Sequence, residues 1–297
     1  MSEASNRLVV LKAGDTALEL APAIGGAVAR FSWRGVDLFR PATAAAIARG
    51  DVLGMGNFPL VPFAGRIHRG RFSLNRREVR LPVNLAGETD AIHGHGWQAP
   101  WTIAAANEAT ATLRYDHAAG DWPWAYRAEQ TFDLTDRALT QRLSVTNLSA
   151  PVMPAGLGLH PYFPRRAGVR LRARVDGVFL HPDHSPTPPP ERWDWRSGPN
   201  VDAFVDNQFC GWDGLAQVIW HGESLSVAMT TEPAATRLVV YAPTGEDYFC
   251  VEPVSHQLNA VNRSPGGAQH GMFLLASGET LDLTVRFTLA SAAQSPP

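Results

Sequence analysis

An all-β fold, a large antiparallel β-sandwich, is the architecture this sequence predicts, and three observations predict it. The dominant hydrophobic period is two, turn residues separate most of the periodic segments, and no stretch carries three or more turns of helical periodicity. In "ETLDLTVRFTL", Leu281, Leu283, Val285, Phe287 and Leu289 alternate with Thr280, Asp282, Thr284, Arg286 and Thr288. "LTQRLSVTN" sets Leu139, Leu143 and Val145 on one face, and "SLSVAM" does the same with Leu225, Val227 and Met229. Such alternation marks half-buried antiparallel strands, apolar inward and polar outward.

In chain order, further strands are expected over 7–12, 16–20, 27–33, 71–74, 78–82, 110–115, 126–133, 169–175, 237–241 and 247–252. "WRGVD", "LNRRE", "LTDRA", "WHGES" and "ASGET" supply turn chemistry between them. "TAAAIARG" is compatible with one short helix. Residues 181–200, rich in Pro and Asp, read as a long surface loop, and the tail "SAAQSPP" as a frayed end. No composition shift marks a boundary, so the 297 residues are expected to form one domain.

Composition excludes several classes. A net charge of −2 offers no electrostatic case for nucleic acid or an anionic membrane. No window approaches the length of an apolar membrane span. "MSEASNRLVV" has no basic segment followed by an apolar run, so a cytoplasmic protein is expected. Of 26 lysines and arginines only Lys12 is a lysine, and it lies near the N-terminus. Schiff-base and pyridoxal chemistry need a lysine amine in the site, and no GxxxxGK[ST] loop is present. The two cysteines, Cys210 and Cys250, have no CxxC spacing and are expected free, although spacing alone leaves a disulfide open.

The chemistry-bearing candidates stand where strands end. In "AGLGLHPYFP", His160 interrupts an apolar run just before Pro161, and proline is kept out of a paired strand interior. A packed histidine and a cleft-edge histidine both fit that segment. In "DYFCVEPVSH", an apolar strand ends on Glu252 and Pro253. A carboxylate there is either solvent-facing or, if buried, paired or functional. Arg66 leaves an apolar segment at Gly65, where its forked donors suit a hydroxyl or carboxylate but equally a structural ion pair. His93 and His95 in "HGHGW" have the alternation of a metal pair, yet no acid follows within residues 96–100, so no metal is expected. Among the nine tryptophans, Trp97, Trp101, Trp122, Trp124 and Trp212 could stack on a sugar, but core packing accounts for most.

Taken in order, "NFPLVPFAGRI", "GRFSLNRREVRLPVN", "AIHGHGW", "GLGLHPYF", "DNQFCGWDG" and "VEPVSHQLNAVN", spread over residues 57–262, resemble the aldose 1-epimerase (galactose mutarotase) family. The resemblance implies a large antiparallel β-sandwich and anomer interconversion of a free aldose without a cofactor. It implies His160 as general acid, Glu252 as general base, and Arg66, His93 and Asp206 as holders of the sugar hydroxyls. Asn84 is a further binding candidate. Gly65 stands where many members have Asn, and His95 beside His93 leaves open which ring meets the sugar. A monosaccharide is the expected partner and a monomer or homodimer the expected state.

The implied chemistry uses one acid and one base in both directions, each worth about 10²–10⁴-fold. A carboxylate beside His160 is expected to raise its pKa, and Glu252, with a reference pKa of about 4.3, to be ionised at neutral pH, giving a bell-shaped pH–rate profile whose acidic limb vanishes in Glu252→Gln. Three other readings compete. A non-catalytic sugar-binding or sensor protein would need neither acid nor base. A hydrolase would use two carboxylates about 5–10 Å apart, and one acid is well placed. A cupin-type metal enzyme would need ligands that the histidine segment lacks.

Overall fold

The computed structural model describes residues 7–181, 185–232, 235–263 and 271–291. Eight antiparallel strands form one sheet, in the order Thr102–Ala106, Thr110–His117, Tyr126–Thr135, Ala138–Asn147, Thr280–Ser291, Leu225–Glu232, Leu215–Trp220 and Arg170–Ala173. A second sheet, of seven strands, runs Gly177–Phe179, Val205–Cys210, Arg237–Ala242, Tyr248–Val254, Gly158–Leu159 and Pro59–Leu60, with Tyr162–Pro164 also paired to Tyr248–Val254. A four-stranded sheet, Val9–Ala13, Thr16–Ala21, Ala27–Trp33 and Val36–Asp37, completes the antiparallel sandwich.

Every strand expected from the period of two is present. The alanine-rich segment forms the short helix Ala44–Arg49, opened by the Thr43 hydroxyl accepting from the Ala46 amide and closed by Gly50 in the left-handed region. Thr102–Ala106, Val205–Cys210 and Leu215–Trp220 are additional strands. The loop after residue 180 is less superficial than its composition implies. Trp193 and Trp195 on two short 3₁₀ turns are buried edge-on against Phe209, so aromatic burial anchors its second half. Residues 182–184 and the tail from 292 onward lie outside the described residues. No helix among the described residues is long and apolar enough to cross a membrane. Cys210 and Cys250 are both free.

Alternation decides which side chains reach the main core and which reach the opposite face of the seven-stranded sheet. Phe209, Leu238, Val240, Phe249 and Val251 join Leu139, Leu143, Leu283, Val285 and Phe287 in one continuous core. Each such side chain, fully buried, stabilises the fold by about 1.5–3 kcal/mol. The intervening residues Asp206, Gln208, Val239, Tyr241, Tyr248 and Glu252 face the other way and line a cavity of about 480 Å³. A second apolar cluster, including Phe58, Ile92, Trp97, Tyr162, Cys250 and Val254, forms that side of the sheet.

Candidate active site

The segment around His160 is a strand with its middle removed. Gly158 stands opposite Val254, and Tyr162 stands opposite Cys250, on the same neighbouring strand. Counting inward from both rungs, His160 faces Glu252. Pro161 has no N–H to continue the ladder. The His160 amide turns to the other side instead and donates to the Phe58 carbonyl at 3.0 Å and to Asn57 Oδ1 at 3.1 Å. Residues directly opposite in an antiparallel register project to one face. His160 Nε2 and Glu252 Oε1 accordingly lie 3.4 Å apart at the cavity, 8% and 3% exposed.

Burial sets the protonation of this pair. It pushes His160 down to about 3, with the Arg40 guanidinium adding to the effect, and pushes Glu252 well above the usual carboxylate range, with Asp206 adding and Arg66 opposing. The expectation that the carboxylate raises the histidine is therefore corrected. Desolvation outweighs attraction to a carboxylate that is itself pushed toward its neutral form. Both shifts favour the uncharged pair, with the proton on Glu252. The His160 ring is sandwiched between Phe58 and Tyr162, with centroids at 4.6 and 4.8 Å, which fixes its plane.

Asn57, which the sequence does not single out, anchors the backbone of His160. Its Nδ2 donates to Gln141 Oε1 at 2.9 Å, Gln141 Nε2 donates to Gln130 Oε1 at 2.8 Å, and Gln130 Nε2 donates to the Gly26 carbonyl at 2.9 Å. These fully buried amides tie the site to the eight-stranded sheet. Asn57→Ala leaves Gln141 Oε1 without its donor, so we expect a loss of about 1–3 kcal/mol in stability, read by urea unfolding. We also expect a fall in turnover that Asn57→Asp does not fully rescue, because a carboxylate lacks the amide donor.

His93 enters the cavity by a strained turn. Its φ is +60°, uncommon for a residue with a Cβ. Two bonds hold it: the His93 amide donates to the Gly65 carbonyl at 2.9 Å, and the Gly65 amide donates to His93 Nδ1 at 3.0 Å. The ring is kept neutral by burial, with His160 and Arg66 adding, so its hydrogen sits on Nε2. Gly65 itself has a φ of +68°, and a Cβ there would lie 2.1 Å from Leu258 Cδ2. Leu258 thus occupies the room that a larger residue would need.

Arg66 and Asp206 both line the cavity. Arg66 is held by Glu88 through two bonds, Nε to Oε2 at 3.1 Å and Nη2 to Oε1 at 2.8 Å. Hydrogen bonding raises the Arg66 pKa and lowers that of Glu88, while burial raises Asp206 against the pull of Arg66. Glu88 is a cavity residue that sequence reasoning passes over.

Two of the binding candidates do not reach the cavity. Asn84 is consumed by the backbone: its Nδ2 donates to the carbonyls of Ile92 (2.7 Å) and Gly94 (3.1 Å), and its Oδ1 accepts from the Ile92 amide (2.8 Å). It clamps the turn that carries His93. His95 points elsewhere, stacked on His117 at 4.5 Å and pushed down to about 4 by burial, with His117 adding. Two residues apart on a twisted turn, the histidines do not share a face as strand alternation would require. Of the tryptophans, Trp97 lines the cavity, while Trp101, Trp122, Trp124 and Trp212 belong to the main core.

His256, also unmarked in the sequence reading, uses both ring nitrogens structurally. Nε2 accepts from the Ala64 amide at 2.9 Å and Nδ1 donates to the Gln257 carbonyl at 2.8 Å. Buried Gln208 holds the same segment, donating to the His256 carbonyl and accepting from the Leu258 amide.

Relatives of the chain carry the same fold. The uncharacterized Escherichia coli K12 protein YphB is 32% identical over 280 residues, which span 86% of this chain and 90% of YphB. The crystal structure of a candidate aldose 1-epimerase from Escherichia coli K12 superposes with a TM-score of 0.88 at 29% identity, covering 96% of this chain and 99% of that one. A galactose mutarotase-like protein from Clostridium acetobutylicum gives 0.85 at 20% identity, covering 98% and 97%. The family model described as aldose 1-epimerase matches residues 7–288. With the family model spanning nearly the whole chain and the sandwich shared throughout, this protein belongs to the aldose 1-epimerase family.

Proposed function

We propose that the protein interconverts the α and β anomers of a free, neutral aldose, with Glu252 and His160 as its base and acid. The observation that carries this reading is the facing pair itself: a carboxyl group and an imidazole 3.4 Å apart at one cavity wall. A cyclic aldose is a hemiacetal whose anomeric hydroxyl and ring oxygen share one carbon. Opening it needs an acceptor and a donor side by side. As the sugar enters, its hydroxyls solvate the carboxylate and the shared proton passes from Glu252 to His160. Glu252 then takes the proton of the anomeric hydroxyl while His160 gives its proton to the ring oxygen, the C1–O5 bond breaks and an aldehyde forms. The pair is left as protonated Glu252 and neutral His160, the arrangement that burial favours. Rotation about C1–C2 and the reverse transfers close the ring on the other face.

The cavity suits a monosaccharide, falling within the range of about 300–1,000 Å³ common for small-molecule sites. His93 Nε2–H, Arg66 and Asp206 hold the sugar's hydroxyls in this reading, which their position in the cavity lining supports. Among the described residues of the lining, Arg66 is the single arginine or lysine, and Glu88 already neutralises it. With the Asp206 carboxyl group nearby, an anionic sugar meets no spare cation. Saturation-transfer NMR of anomer exchange, run on galactose, glucose, xylose, arabinose and glucose 6-phosphate, tests this. We expect acceleration of one or more neutral sugars above the phosphate ester. Glu88→Gln should narrow the gap by about tenfold, or ~1.4 kcal/mol, by releasing Arg66. Preference for the phosphate ester in the unaltered protein would overturn the substrate class.

A further inference from the structure

Cys250 is the one buried nucleophile at the acid/base pair that the reaction does not use. It lies two residues before Glu252 on the same strand, so its side chain projects to the same face, and it stands opposite Tyr162, two residues beyond His160. One ligand atom from each of His160, Cys250 and Glu252 falls within 4.8 Å of the others, and all three residues are buried. We propose that these three residues form a binding site for a single thiophilic divalent cation, with Zn²⁺ its fitting occupant, and that the cation blocks the acid/base pair.

Three features of the cluster support the assignment. A tetrahedral centre with Zn–N and Zn–O bonds of about 2.0–2.1 Å places its nitrogen and oxygen ligands about 3.3 Å apart. His160 Nε2 and Glu252 Oε1 already stand at 3.4 Å, so a contraction on the sulfur side completes the set. Charge also closes. A thiolate, a carboxylate and a neutral imidazole balance a divalent cation, which leaves no net charge in a buried site. Finally, sulfur selects for Zn²⁺ and its soft neighbours over Mg²⁺ or Ca²⁺, which prefer oxygen-only shells. Binding releases two protons, one from the Cys250 thiol and one from the His160–Glu252 pair, so affinity rises with pH. The histidines His93 and His95, whose spacing first raises the question of a metal, take no part.

The effect on turnover rests on the proposed reaction; the site itself does not, and the test separates the two. Co²⁺ is titrated into the sugar-free protein while the near-ultraviolet thiolate-to-cobalt charge-transfer band is followed. Zn²⁺ affinity is then measured by competition, with released protons counted in weak buffer. We expect one Co²⁺ per chain with a thiolate band that persists in Cys210→Ser and disappears in Cys250→Ser. We expect about two protons released per metal. Zn²⁺ affinity in Cys250→Ser should weaken by at least about a hundredfold, the upper end of what even an outer-shell partner contributes. Zn²⁺ should inhibit anomer exchange in competition with sugar, and Cys250→Ser should retain exchange while losing that sensitivity. Absence of a thiolate band in the unaltered protein, or loss of the band in Cys210→Ser with retention in Cys250→Ser, would overturn the site. A band without inhibition would overturn only the claim that the cation blocks the pair.

Discussion

Glu252→Gln is expected to lower kcat for anomer exchange by about 10²–10⁴-fold, the contribution typical of one general acid or base, with KM changed far less. The substitution keeps shape and removes the site's proton acceptor. Its pH signature follows from the directions of the two shifts. Because burial raises the Glu252 pKa, the pair holds its single proton to higher pH than an ordinary carboxylate would, and the rate falls on the alkaline side when that proton is lost. Because burial lowers His160 to about 3, the rate falls on the acid side only when a second proton is forced onto the pair. Glutamine has no proton to lose over this range. The alkaline limb, not the acid limb that an ordinary, ionised Glu252 would govern, should therefore vanish in Glu252→Gln. An alkaline limb that survives unchanged would remove Glu252 from the pair.

His160→Ala should cost a similar 10²–10⁴-fold, and the double variant little more than the worse single one. The reason is that the two groups handle one shared proton: with either missing, the other has nothing to exchange with. The alanine variant also opens a gap between Phe58 and Tyr162, so His160→Gln, which restores volume without the imidazole, serves as its companion. Equal losses in the two variants tie the effect to proton transfer. Recovery of most of the rate in His160→Gln, or fully additive losses in the double variant, would point to packing as the role of His160.

Much of this arrangement is legible in the sequence because alternation on a strand is a strict rule. The period of two that places Leu281 through Leu289 in the core also assigns Asp206, Cys250 and Glu252 to one face, once their strands are known to pair. The break at His160–Pro161 is likewise a local signal, since a proline must interrupt the ladder there. What is not legible depends on register and on turns. Nothing local says that His160 falls opposite Glu252 and not one rung away. His93 and His95 look equivalent until a positive φ at His93 turns one ring into the cavity and the other onto His117. Asn84 looks like a sugar ligand because an asparagine's ability to bond backbone is invisible without the turn it clamps. Gln130 and Gln141 did carry a signal: each occupies a core-parity position on its strand, where a polar side chain demands a buried partner. Their partner chain through Asn57 to His160 is what that demand reports.

The most direct measurement is saturation-transfer NMR of anomer exchange on a neutral aldose, run with the unaltered protein and with Glu252→Gln and His160→Ala at equal concentration. The account predicts that the protein transfers saturation between the two anomeric proton signals far faster than solution does, and that neither variant does so while each still binds the sugar. Sugar binding without exchange by the unaltered protein, or exchange undiminished in both variants, would contradict it.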